Sequence, residues 1–245
     1  GTIPSWLFWR IRMMRFFFLA SKHKTERNFM LYKWYVRNLI DKIVLLPTGE
    51  LTRIHKGNPR GQFSTTVDNN MVNVWLTTYE FCYLFKLQRN RLPTLSEIKS
   101  SIDYICYGDD RLLSFERDFV KYEPETVICM YKEHFGMWVK PENIKISKTF
   151  EGLSFCGLTL VQTSKGIYGV PNVDKILSTI EFPTKRLPNL EAMWGKLQSL
   201  RILCEHAPQN VKDFLDIQIL KIEDLAESEG LELPKVSADF YTRVW

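Results

Sequence analysis

The sequence has no disulfide framework and no zinc site. Its five cysteines stand at Cys82, Cys106, Cys129, Cys156 and Cys204, an odd number with no pair at zinc-ligand spacing. That excludes a disulfide-stapled secreted module and fits a reducing compartment. No signal peptide is visible. The very apolar run at residues 6–20 is interrupted by Arg10, Arg12 and Arg15. Three arginines near the middle of a span are costly in lipid, which excludes a transmembrane helix there. An initiating methionine is also missing: the chain opens Gly1-Thr2-Ile3-Pro4, as a piece of a longer protein would.

What is present is the composition of an ordinary globular protein. The 245 residues are 45% hydrophobic and 25% charged, enough for one large domain or two small ones. The net charge of +5 is uneven. Residues 1–60 hold 12 Lys and Arg against 3 Asp and Glu, and the remainder holds 21 against 25. A basic first quarter suits a phosphate-bearing partner, although a solvated helix face gives the same count.

Residues 102–115 read as a hairpin. Apolar, β-branched and aromatic residues at 102–107 and 112–115 flank Gly108-Asp109-Asp110. Neighbouring side chains on an extended strand point to opposite faces, so Asp109 and Asp110 can lean to one spot only from a tight turn. Gly108 supplies the backbone freedom for that turn. Two adjacent carboxylates repel, and a hard divalent cation with oxygen ligands relieves the repulsion. The competing reading is a plain surface hairpin whose aspartates favour the turn.

A second informative stretch follows the loop at residues 56–61. Ser64 or Thr65 can cap a helix running to about residue 87, and Thr65 with Asp68 has the spacing of a capping box. At helical spacing Thr65, Asn69 and Asn73 share a face, a row of hydroxyl and amide groups beside apolar Val72, Trp75, Leu76 and Tyr79. Elsewhere helices are expected from residue 5 to about 22, and over 26–41, 123–135, 173–180, 189–205 and 210–227, with a short one after Pro93. Hairpins are expected at 43–55 and 153–170. The aromatics of the 26–41 helix are expected in the core.

Tyr107-Gly108-Asp109-Asp110 between two strands resembles motif C of the RNA-dependent RNA polymerases of positive-strand RNA viruses. Gly61, Thr65, Asn69 and Asn70 at their spacing resemble motif B, with Arg60 standing where many members carry Ser. Residues 137–145 resemble motif D, and Phe155-Cys156-Gly157 resembles motif E. The motifs occur in family order, and the wording around motif B is astrovirus-like. The resemblance implies an α+β fold: a right-hand polymerase palm, with an antiparallel sheet packed on helices. The palm would take residues 1–170, and residues 171–245 would begin a helical thumb, with the fingers mostly missing.

The resemblance also implies the chemistry. Asp109 and Asp110 are the expected metal ligands for Mg²⁺, with Mn²⁺ as a substitute. Lys145 is the expected proton donor to pyrophosphate, with Lys140 and Lys148 as rivals. Gly61, Ser64, Thr65 and Asn69 are the expected substrate-binding residues, with Asn69 at the ribose 2′-hydroxyl. The expected partners are template and nascent RNA, nucleoside triphosphates and other viral replication proteins. The expected location is the host cytoplasm, in membrane-associated replication complexes. The metal-binding aspartate of motif A is expected just upstream of Gly1, and the basic motif that holds the triphosphate is expected to be absent unless Arg10, Arg12 or Lys22 substitutes for it, which would leave this piece inactive alone. A reverse transcriptase, which shares a Tyr-x-Asp-Asp turn, and a non-catalytic RNA-binding module are the alternatives.

Overall fold

The computed structural model describes residues 2–237 and 239–244; Gly1 of the opening tetrapeptide lies outside them. The chain forms two compact units, residues 1–145 and 146–245. Each mixes helices with small antiparallel sheets, an α+β architecture.

The first unit is organised on α3 (Thr65–Arg89), a 25-residue helix. It ends where Asn90 turns left-handed at φ 55°, a common helix stop. Val72, Leu76, Phe81, Leu84 and Phe85 of α3 are buried in one cluster. Leu7 and Ile11 of α1 (Ser5–Phe17) join that cluster, as do Val127, Met130, Tyr131 and Phe135 of α5 (Pro124–Phe135). Helix α5 has proline in its first turn and Gly136 in the left-handed region at its end, as its sequence predicts. A hairpin of β3 (Ile102–Tyr107) and β4 (Asp110–Phe115) lays Ile102, Leu113 and Phe115 against the same core. It follows α4 (Leu95–Ser101), which Thr94 and Glu97 cap reciprocally.

Two expectations for the basic first quarter fail. Helix α1 stops at Phe17, not near residue 22, because Phe18 and Leu19 bond three residues back and Ala20 is extended. In α1 Arg12 is buried, whereas Phe17, and Phe18 just beyond it, are exposed. In α2 (Glu26–Ile40) only Val36 is buried, and Met30, Leu31 and Trp34 are exposed. The helix meets α1 through Phe29 and Tyr32, which pack on Phe16, so one face is covered and the other aromatics stay out of the core. The β1 (Lys42–Leu45) and β2 (Leu51–Ile54) hairpin forms as expected.

In the second unit β5 (Ser154–Phe155), β6 (Leu158–Thr163) and β7 (Gly166–Pro171) make a three-stranded meander. The β5–β6 turn is Cys156-Gly157, both at positive φ, the type I′ pattern that matches strand twist. Val170 packs with α6 (Val173–Glu181), α7 (Leu190–Leu203) and α8 (Gln209–Ser228) around Cys204, Val211 and Leu215. A short helix, α9 (Phe240–Val244), follows. None of the five cysteines, all of them among the described residues, is in a disulfide. Among the described residues no helix is long and apolar enough to cross a membrane.

Candidate active site

The β3–β4 pairing is in register to its tip, where Tyr107 faces Asp110 and Gly108-Asp109 form a two-residue loop. Gly108 sits at φ +66° and Asp109 is not left-handed, the type II′ pattern with glycine in the first central position. Asp110 therefore begins β4, while Asp109 occupies the turn itself. Both carboxylates are exposed. Among the described residues neither has an ion-pair partner, and Asp110 enters only through its backbone.

Helix α3 holds this turn. Asn70 Oδ1 accepts from the Gly108 N–H at 2.5 Å. Asn73 Nδ2 donates to the carbonyls of Gly108 and Asp110, at 3.1 and 3.3 Å. The amide-bearing start of α3 and the acidic turn thus form one assembly, bridged by side-chain-to-backbone bonds. The two asparagines are spaced three apart, so both face the hairpin. From the sequence, Asn73 is part of a polar row and Asn70 part of the motif B resemblance, and neither is marked as a partner of the hairpin turn. The fuller signal is the spacing of Asn70, Asn73, Thr77 and Glu80, a polar stripe along an otherwise apolar helix.

The residues before α3 make a second network. Asp68 is wholly buried. Its Oδ2 accepts from Arg12 at 2.7 Å, Gln62 at 2.8 Å and Ser64 at 3.0 Å, and its Oδ1 from Arg15 at 2.5 Å. Two guanidinium groups on one carboxylate leave a local positive charge. The Arg12 guanidinium also lies against the rings of Tyr32 and Tyr35, at 5.3 and 5.1 Å. Burial raises the Tyr32 phenol above its usual range, against the pull of the two arginines. The expected capping box is absent: Ser64 makes no side-chain cap, and Asp68 turns to the arginines instead.

The expected substrate-binding residues are distributed as follows. Gly61 is at φ +80° in the loop, where an added Cβ would meet nothing but would strain the backbone. Ser64 is buried and its hydroxyl bonds within the protein. Thr65 Oγ1 lies at 2.9 Å from the Pro59 carbonyl and 2.8 Å from that of Gln62. Asn69 is half-buried, and its Oδ1 accepts from Asn58 Nδ2 at 2.9 Å. Lys145 is exposed at the end of the first unit and makes no hydrogen bond or ion pair among the described residues. Lys140 is exposed too, over the Trp138 ring at 5.5 Å.

The turn suits a hard cation in kind but not in number. Asp109 and Asp110 offer uncompensated carboxylate oxygens on a backbone fixed by Asn70 and Asn73. Yet no group of three acidic, histidine or cysteine side chains that could hold a metal occurs among the described residues. A cavity of about 1070 Å³ lies beside α3, but apolar side chains such as Met71, Val74 and Trp75 dominate its walls and neither aspartate reaches it.

Helix α3 thus presents two side-chain amides to an acidic hairpin turn. The profile of the viral RNA-dependent RNA polymerase family matches residues 1–219, and the chain belongs to that family. Its relatives are astroviral. It is 64% identical to non-structural polyprotein 1AB of turkey astrovirus 2 and 56% identical to that of turkey astrovirus 1, over its whole length in both cases. It is 42% identical to the human astrovirus-1 protein over 83% of its length. It spans 15%, 15% and 13% of those three polyproteins. These matches do not favour the reverse transcriptase or the non-catalytic module.

Proposed function

We propose that this chain supplies part of the catalytic centre of an RNA-directed RNA polymerase that replicates and transcribes a viral genome. The observation that carries the reading is the acidic turn at 108–110 fixed by the amides of Asn70 and Asn73. The reaction is transfer of a nucleoside monophosphate from a triphosphate to the 3′-hydroxyl of the growing RNA, with pyrophosphate leaving. Residues 1–170 serve as part of the palm and residues 171–245 as the start of the thumb.

Asp109 is the chief metal ligand from this chain and Asp110 the second, for Mg²⁺ or, in its place, Mn²⁺. When bound, a divalent pair lowers the pKa of the attacking hydroxyl and stabilises charge on the phosphoryl group. Because two carboxylates are too few for such a pair, the remaining ligands come from elsewhere in the polyprotein, and this segment alone is inactive. Asn69 orients the incoming ribose through its 2′-hydroxyl, the group that separates RNA from DNA. Gly61 lets the preceding loop adjust to the template, and Ser64 and Thr65 hold that loop on α3. Lys145 delivers the proton to pyrophosphate, with Lys140 and Lys148 as alternatives. The excess of Lys and Arg in residues 1–60 favours RNA phosphates. Template RNA, nascent RNA, nucleoside triphosphates and other viral replication proteins are the partners, in membrane-associated complexes of the host cytoplasm.

The test is Asp109→Ala in the full-length polymerase. Primer extension should be lost while RNA binding stays near wild type. Retained synthesis would remove Asp109 from the role.

A further inference from the structure

Beyond the residues assigned above, α3 carries a polar line toward the hairpin that ends in a buried charge. Glu80 is fully withdrawn from solvent. Its carboxylate accepts from Arg111 Nη2 at 2.8 and 3.1 Å, from the Tyr122 hydroxyl at 2.6 Å and from the Tyr131 hydroxyl at 3.0 Å. Arg111 Nη1 also donates to Thr77 Oγ1 at 2.9 Å. The Thr77 hydroxyl lies 3.3 Å from Asn73 Oδ1, and Asn73 Nδ2 reaches the carbonyls on either side of Asp109. The line from Glu80 to the acidic turn is unbroken.

Its direction is forced. Arginine can only donate, so Thr77 Oγ1 accepts from Arg111 and its own proton is left for Asn73 Oδ1. With Oδ1 occupied as an acceptor, the Asn73 amide can present only Nδ2 to the turn. The carboxylate of Glu80 is what holds Arg111 in place for this. It has a second effect. Arg111 directly follows Asp110, and a free guanidinium there would pair with the two carboxylates. On β4 successive side chains alternate, and Arg111 is turned inward to Glu80.

We propose that Glu80, Arg111 and Thr77 are positioning residues for the Asp109–Asp110 turn. The buried pair sets the polarity of a relay through Thr77 and Asn73 that fixes the turn for metal, and it keeps the Arg111 charge off the two carboxylates. This rests on the polymerase reading and adds to it three residues that the motifs do not contain.

The experiment uses the full-length polymerase with Thr77→Val, which removes the hydroxyl at nearly constant shape, and Thr77→Ser, which keeps it. Binding of Mn²⁺ to the free enzyme is followed by electron paramagnetic resonance, and the Mg²⁺ dependence of primer extension is measured in parallel. Thr77→Val should weaken Mn²⁺ binding and raise the Mg²⁺ requirement by about ten-fold, the scale of outer-shell losses at metal sites. Thr77→Ser should restore both. Wild-type behaviour of Thr77→Val, or an equal loss in Thr77→Ser, overturns the relay, since the second result means the methyl group matters and not the hydroxyl. Should Thr77→Val not fold, the pair Glu80→Gln with Arg111→Met decides, because it removes both charges together; metal binding at wild-type strength there is again fatal. If the wild type binds Mn²⁺ and extends primers but the variants match it, the relay fails and the polymerase reading stands. If the wild type does neither, both fail.

Discussion

Asn70 on α3 accepts the Gly108 N–H at 2.5 Å, across 38 residues of sequence. The acidic turn is therefore shaped by a helix side chain as well as by its own hairpin. Asn70→Ala leaves that N–H without its partner, and the fold should lose only about 1 kcal/mol. Primer extension by the full-length polymerase should fall more steeply, by about ten-fold or more, because the carboxylates move with the turn. Thermal melts and extension rates measured together check this. Equal, small losses in both would mean that the bond is ornamental to the chemistry.

Asp68 makes the opposite case, a residue that matters to the fold. It is wholly buried beneath Arg12 and Arg15, whose side chains are 3% and 27% exposed. Asp68→Asn leaves two guanidinium groups facing a neutral amide. Losing one partner of a buried pair costs about 3–5 kcal/mol. The melting temperature of the protein should drop by several degrees, and further than for Arg15→Gln, whose side chain can turn to water. Denaturant unfolding of the two variants compares them directly.

The local features were legible because local chemistry decides them. Pro124 and Gly136 bound α5, and Gly108 marks the turn that β3 and β4 share. The acidic turn and the amide-bearing start of α3 could be read as parts of one site. What could not be read was which distant groups complete each polar residue. Arg12 reads only as a break in an apolar run because its partner Asp68 lies 56 residues on. Glu80 carries no local signal of its role, since Arg111, Tyr122 and Tyr131 come from later segments. The aromatic density of α2 suggested a core, but composition does not say how many faces of a helix find a neighbour.

Helix α4, which leads into β3, has a cap that titrates. Glu97 accepts from Arg91 and from the Thr94 N–H, and these bonds, Arg91 first, lower its carboxyl to about 2. An unfolded glutamate titrates near about 4.3. The folded value is depressed, so the contribution is present above about pH 4.3 and fades as pH falls toward 2. The Glu97 side-chain carbon shift, followed by nuclear magnetic resonance, should show a midpoint near 2 in the wild type. In Arg91→Ala it should move up toward about 4.3. An unmoved midpoint would leave Thr94 as the sole cause.

The sugar preference of the enzyme should depend on a residue outside the motifs. Asn58 Nδ2 donates to Asn69 Oδ1 at 2.9 Å and to the Thr65 carbonyl at 3.2 Å, while Gln62 Nε2 donates to Asn58 Oδ1 at 3.1 Å. With its oxygen engaged, Asn69 offers only its Nδ2–H groups to a ligand, and a ribose 2′-hydroxyl can accept from them. Asn69→Ala removes the donor, so the ratio of kcat/KM for a ribonucleotide over its deoxy analogue should fall by about ten-fold, one hydrogen bond's worth. Asn58→Ala should act in the same direction but more weakly, because the Asn69 amide is then free to flip. Asn58→Asp replaces the donor with an acceptor and draws Asn69 Nδ2 inward; the 2′-hydroxyl can still donate to the Oδ1 then turned toward it, so the ratio should again fall less than in Asn69→Ala. Single-nucleotide incorporation with matched ribo- and deoxyribonucleotides measures all three ratios. If Asn69→Ala leaves the ratio unchanged, the ribose contact lies elsewhere; if only the Asn58 variants leave it unchanged, Asn69 holds its orientation without help from the loop.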